Sequence, residues 1–166
     1  MGQNPSKRVE TTLLSSPSFV TACDAVFADS LAAAEHAFPL LRPYQLHPAA
    51  LRLHVALSDA IPLIRRWVPL PPSRTQVDAA YRRVAGASSD GAEEGLGSDE
   101  FKAFAAELFR DAVLSGAGAA VLRRVPIGVA GIAGIGLAAR VGNGVVGRVM
   151  GIYAAGVAAA VYFSLG

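Results

Sequence analysis

The chain has 166 residues, enough for one domain plus a tail. Its formal charge of +2 is too small to argue for nucleic acid, and no basic helix with interleaved aromatics is present. The single cysteine, Cys23, excludes an internal disulfide framework and a cysteine-based zinc site. Hydrophobic content is 52% and mean hydropathy +0.40, with the excess concentrated in the last forty or so residues.

Residues Met1 to Glu10 lack the apolar core of a secretory signal. They read MGQNPSKR at the start, which matches the M-G-x-x-x-[ST] acceptor pattern for N-myristoylation, with Gly2 as the acceptor and Ser6 in place. Lys7 and Arg8 favour an anionic surface. One acyl chain binds membrane only marginally, so a second signal is needed for stable attachment. Residues 1–16 are otherwise expected to be a flexible terminus.

Ser16 suits an N-cap and Pro17 the first helical position. Val20, Cys23, Phe27, Leu31, Ala34 and Phe38 then recur at helical spacing, which predicts an amphipathic helix from Pro17 to Phe38. Pro48 is placed to open a second helix, with Leu53, Leu57, Ala60, Ile61 and Ile64 on its apolar stripe. Pro62 should kink or end that helix near Ile61. Trp67, beside Arg65 and Arg66, suits either a membrane interface or a buried anchor. His36, His47 and His54 are the only histidines, and no cysteine or paired carboxylate joins them as a zinc site.

The breaker Pro69-Leu70-Pro71-Pro72 marks a boundary. A short helix is predicted from Arg74 to Val84, with Val77, Ala80, Tyr81 and Val84 on one face. A polar Gly/Ser/Asp loop runs from Ala85 to Gly97. Ser98 suits an N-cap, and Asp99 and Glu100 suit the positive end of the next helix. Phe101, Phe104, Ala105, Leu108 and Ala112 form its apolar stripe.

The run Leu96-Gly97-Ser98-Asp99-Glu100-Phe101-Lys102-Ala103-Phe104, continuing to Leu108 and Phe109, resembles the EF-hand calcium-binding family. That family has a twelve-residue loop with alternating oxygen ligands and a bidentate Glu at the last place. Glu100 matches that Glu, and Leu96 matches the apolar residue that joins a short strand with a partner hand. The first half departs from the pattern. Counting back from Glu100, Ser89 stands at the first place and Glu94 at the sixth, where the family needs Gly. Tyr81 and Val84 match the end of the incoming helix, but that register starts the loop at Ala85 and makes it four residues too long. Asp90, Glu93, Glu94 and Glu100 remain as candidate oxygens, and Gly95 belongs to the same candidate site. The resemblance implies weak or lost Ca²⁺ binding. Hands usually pair, and the helix–turn–helix from Pro17 to Ile61 is the available partner. Its connection, Phe38 to His47, holds no acid and supplies packing only.

The tail holds two apolar runs, Val125 to Ala139 and Val149 to Gly166, separated by Arg140 and Arg148. As helices they measure about 22 Å and about 27 Å. A spanning helix needs roughly 17–25 residues, so the second run qualifies and the first is borderline. Small residues recur every four positions at Ala130, Gly134, Ala138 and Gly142, and again at Gly147, Gly151, Ala155 and Ala159. Such stripes allow close helix packing.

The expected fold is therefore all-α: a helical EF-hand-like domain followed by a hydrophobic C-terminal helical hairpin. The expected division is residues 1–16, 17–68, 74–116 and 117–166. No phosphate loop, nucleophile elbow or H-E-x-x-H motif is present, so no enzyme is expected. The expected function is a membrane-attached EF-hand-like module, weakly calcium-binding or decayed, that acts through a protein partner. The alternative is a structural or oligomerising membrane protein in which the EF-hand remnant is scaffold only. The expected partners are the membrane, a protein and, through the tail, a second copy. The expected location is a membrane, with the N-terminal part facing the cytosol.

Overall fold

A computed structural model describes residues 4–34, 39–87, 95–138 and 143–163. Among them the fold is all-α, and the order is α1 (Pro5–Leu14), α2 (Pro17–Ala33), α3 (Pro43–Ala60), α4 (Pro62–Trp67), α5 (Arg74–Ala87), α6 (Ser98–Ala138) and α7 (Asn143–Phe163). The chain divides into two compact units, Met1–Val113 and Leu114–Gly166.

The first unit opens with a helix where a flexible terminus was expected. The Asn4 side chain accepts from the Ser6 N–H at 3.3 Å, and Pro5 occupies the first turn, where its missing N–H costs nothing. Val9 and Leu13 lie four residues apart on one face and are fully buried. Tertiary burial of that pair stabilises a helix too short to persist alone.

Helix α2 starts at Pro17 as expected and ends at Ala33. Residues 35–38 of the predicted helix lie outside the described residues. Its buried face carries Phe19, Cys23, Val26 and Ser30, while Val20, Phe27 and Leu31 are half-buried. The Ser30 hydroxyl is satisfied by the Val26 carbonyl at 2.7 Å. Helix α3 begins at Pro43, five residues before the predicted start. Pro48 sits inside it, on the exposed side, and deletes one intrahelical hydrogen bond. Pro62 ends α3 as expected: Ile61 is extended (φ −122°, ψ 110°), as the residue before a proline prefers, and α4 begins at Pro62.

Of the predicted α5 stripe, Val77 and Ala80 are buried and Tyr81 and Val84 half-buried. In α6 the whole predicted stripe is buried, joined by Phe109 and Val113. Phe101 ties α6 to α2 and to its own next turn, with ring centroids 5.7 Å from Phe27 and 5.9 Å from Phe104. Trp67 is 5% exposed and belongs to this core, with the Arg66 guanidinium 5.0 Å above its ring.

The second unit takes the C-terminal part of α6 and α7. Helix α6 runs unbroken from Ser98 to Ala138, so the predicted start of the tail at residue 117 is not a helix boundary. The connection 139–142 lies outside the described residues. The expected membrane localisation is corrected here: among the described residues, no helix is long and apolar enough to cross a membrane. Helix α7 has 21 residues, but Asn143 and an exposed Arg148 stand in its first two turns.

Candidate functional site

Two helical pairs, α2–α3 and α5–α6, meet at one antiparallel bridge. Leu41 N–H donates to the Leu96 carbonyl at 2.9 Å, and Leu96 N–H donates to the Leu41 carbonyl at 2.8 Å. Both leucines are buried. This pair satisfies backbone groups that would otherwise be orphaned in the core. Gly95 serves the same approach. A Cβ at that position would stand 2.8 Å from the Leu40 Cβ and 3.0 Å from the Leu41 carbonyl oxygen. The space is already filled, and only glycine lets the two chains come this close.

The segments leaving the bridge repeat each other. From Leu41 the chain enters α3, and the Gln45 side-chain oxygen accepts from the Arg42 N–H at 2.9 Å. From Leu96 it enters α6, and a Glu100 carboxylate oxygen accepts from the Gly97 N–H at 2.8 Å. In both, the side chain four residues past the bridge turns back to cap its own helix start, the reciprocal half of a capping box. Gly97 therefore takes the cap position predicted for Ser98, which is the first helical residue. Sequence reasoning matched Glu100 to a metal ligand and missed Gln45 as its counterpart. The signal was present as Leu-x-x-x-Gln at 41–45 beside Leu-x-x-x-Glu at 96–100.

Beside Glu100 a cleft of about 640 Å³ opens between α1, α5 and α6. Leu14, Val84, Ala103 and Ala106 supply its apolar lining, and Glu10, Arg83, Asp99, Glu100, Lys102 and Glu107 its charged lining. These charges are already engaged. Arg83 contacts Glu107 at 2.9 Å and also pairs with Asp111. Arg110 reaches Glu107 at 2.5 Å, Asp111 at 3.2 Å and Glu10 at 3.5 Å. Lys102 bonds Asp24 at 2.8 Å. Hydrogen bonds to Asp111 and then Glu107 hold the Arg83 guanidinium above its ordinary pKa, and the bond to Asp24 does the same for Lys102. The network ties α1, α2 and α5 to α6.

Of the predicted metal-site residues, Asp90, Glu93 and Glu94 lie outside the described residues, as does Gly2. Among the described residues, no group of three or more His, Cys, Asp or Glu side chains could hold a metal ion. Gly95 packs against Leu40 and Leu41, and the Glu100 carboxylate caps its own helix start. His36 is likewise outside the described residues. His54 shares its Nε2 with the Val68 carbonyl at 2.8 Å, and its ring stacks on Phe109 with centroids 6.5 Å apart. Cys23 is fully buried, and burial, followed by the nearby Asp24 charge, pushes its thiol up from 9.0 to about 12. Such a thiol is a core group and not a nucleophile.

Compared with protein-family models, curated proteins and solved structures, the chain finds no match in any of the three.

Proposed function

We propose that the first unit is a pair of EF-hand-like hairpins, α2–α3 and α5–α6, whose calcium chemistry has decayed and which acts by binding a protein partner. The observation that carries this reading is the Leu41–Leu96 bridge, with its two backbone hydrogen bonds and matched caps. It supports the pairing that the resemblance at Leu96 implies. The stretch from Phe38 to His47 carries no acid, and the α5–α6 loop lacks the acid at the first place and the glycine at the sixth.

A second reading rests on Glu100. Its carboxylate is committed to the Gly97 N–H, which favours a remnant that is scaffold only. One titration separates the two. Calorimetry of the full chain with Ca²⁺ at physiological ionic strength should give no binding in the sensor range of roughly 10⁻⁷–10⁻⁵ M. Weaker binding that Glu100→Gln abolishes supports a decayed site. No binding at any concentration supports the scaffold. Binding in the sensor range, lost in Glu100→Gln, overturns the reading of decay. Hydrogen exchange tests the pairing itself: the Leu41 and Leu96 amides should exchange together and slowly, and a Leu96 amide exchanging at an open-loop rate overturns it.

A further inference from the structure

Helix α1 has ten residues, too few to persist as an isolated helix in water, so it depends on its dock. Val9 and Leu13 supply two fully buried anchors, four residues apart on one face. Leu14 stays 46% exposed at the edge of the cleft between α1, α5 and α6. The charged tie is loose. Arg110 Nη1 donates to Glu10 at 3.5 Å, and the Glu10 side chain is 42% exposed. Arg110 Nη2 serves Glu107 and Asp111. Arg110 Nε is buried and has no acceptor among the described residues. A buried N–H without an acceptor is costly, and a guanidinium offers five N–H donors in a fixed fork. Arg110 therefore keeps donor capacity that α1 does not fill.

We infer that the face beneath α1, on α2 and α6, is a docking surface for an amphipathic helix of a partner protein, and that α1 is its resident occupant. This rests on the reading that the first unit binds a protein partner. The partner helix carries two apolar residues four apart with a carboxylate beside the first, the pattern of Val9, Glu10 and Leu13. Helix-in-groove recognition reads apolar anchors at that spacing, and the carboxylate answers Arg110. The cleft gives entry. It is open over about 640 Å³, with Ala103 and Ala106 as a floor of small side chains on α6. An incoming apolar side chain seats there before α1 leaves, and α1 then swings away from the short turn at Ser15 and Ser16. The lining also carries Asp99, Glu100 and Glu107, so a helix with further acids is disfavoured by like charge. Helix α1 follows the same rule, with Lys7 and Arg8 in the turn before Val9.

The first arm of the test is hydrogen exchange of the ¹⁵N-labelled full chain. The Val9 and Leu13 amides should exchange about tenfold or more faster than the Phe104 amide within α6, because α1 leaves without global unfolding. Equal rates overturn the inference, since α1 then opens only with the core. The second arm detaches α1 in the full chain with Val9→Asp and adds a synthetic peptide of residues 4–16 as the probe helix. The variant should keep a cooperative thermal transition, and the peptide should give saturable shifts at its Ala103 and Ala106 amides. Leu13→Ala in the peptide should weaken binding about tenfold or more. Glu10→Gln in the peptide should weaken it about two- to fivefold. The wild-type chain should exclude the peptide, because its own α1 acts at an effective concentration on the order of mM. Loss of the folded state in Val9→Asp makes α1 a core element and overturns the inference. So does a folded variant that ignores the peptide, or one that binds all three peptides alike. Neither arm involves Ca²⁺ or the Leu41–Leu96 bridge, so failure here is distinct from failure of the paired-hairpin reading.

Discussion

The α2–α3 and α5–α6 pairs solve the same problem with different chemistry. Each leaves the Leu41–Leu96 bridge and must start a helix within two residues. The first does so with Pro43 in the opening turn and a neutral amide, Gln45, returned to the Arg42 N–H at 2.9 Å. The second does so with Gly97, Ser98 and an anionic Glu100 returned to the Gly97 N–H at 2.8 Å. The near-identical hydrogen bonds teach that this position needs an acceptor oxygen and not a charge. A glutamate that matches a metal-ligand pattern is, in this geometry, already employed.

The largest way to break the pair is to empty its seam. Leu41→Ala and Leu96→Ala should each destabilise the chain by about 2–5 kcal/mol, since both side chains are buried. Equal losses by denaturant midpoint indicate that both hairpins lean on the seam alike. A loss at one position only shows that the other hairpin stands without it.

Gly95→Ala comes next. The added methyl meets Leu40 and the Leu41 carbonyl, so overpacking should cost about 1–3 kcal/mol. A neutral result by thermal melting would mean that the bridge opens without penalty, and the pairing of the two hairpins would lose its support.

The charge comparison is sharpened by exchanging the caps. Glu100→Gln keeps the acceptor and loses the dipole interaction, about 0.3–1 kcal/mol at low salt. Gln45→Glu should gain a similar amount. Both effects should shrink in high salt, because screening weakens charge–dipole terms and leaves the hydrogen bond. A Glu100→Gln loss well above this range, insensitive to salt, would point to a role for the carboxylate beyond capping.

The smallest signal is a rate. Cys23 lies buried in α2, so its thiol reports opening of the first hairpin. Burial holds the folded thiol near 12 against 9.0 for an open one. The proton is thus held more tightly in the folded state, and stability falls as pH rises through 9.0 toward 12 while nothing changes below 9.0. At pH 8 alkylation should therefore follow opening. Its rate should match slow exchange of the Phe104 amide within α6 if the two hairpins open as one, and exceed it if the first opens alone.

The α6 stripe was legible from sequence because Phe101, Phe104, Ala105, Leu108 and Ala112 repeat at helical spacing and every one is buried. Pro62 was legible because a proline restricts the residue before it whatever the surroundings. The start of α3 was misplaced because two prolines, Pro43 and Pro48, each suit a first turn. The choice fell to the Gln45 cap beside the bridge. Helix α1 was missed because ten residues with two apolar anchors are marginal until Val9 and Leu13 find a core.

By itself, then, the sequence determined the helical class and the starts of α2, α5 and, to within one residue, α6. These depend on local rules: periodicity, caps and proline geometry. Tertiary structure alone decided that Leu41 meets Leu96, that Gly95 is needed for that approach, and that Cys23 is buried beyond reaction. Each of these depends on contact between residues distant in the chain, or on the burial such contacts create, and no single window of sequence records it.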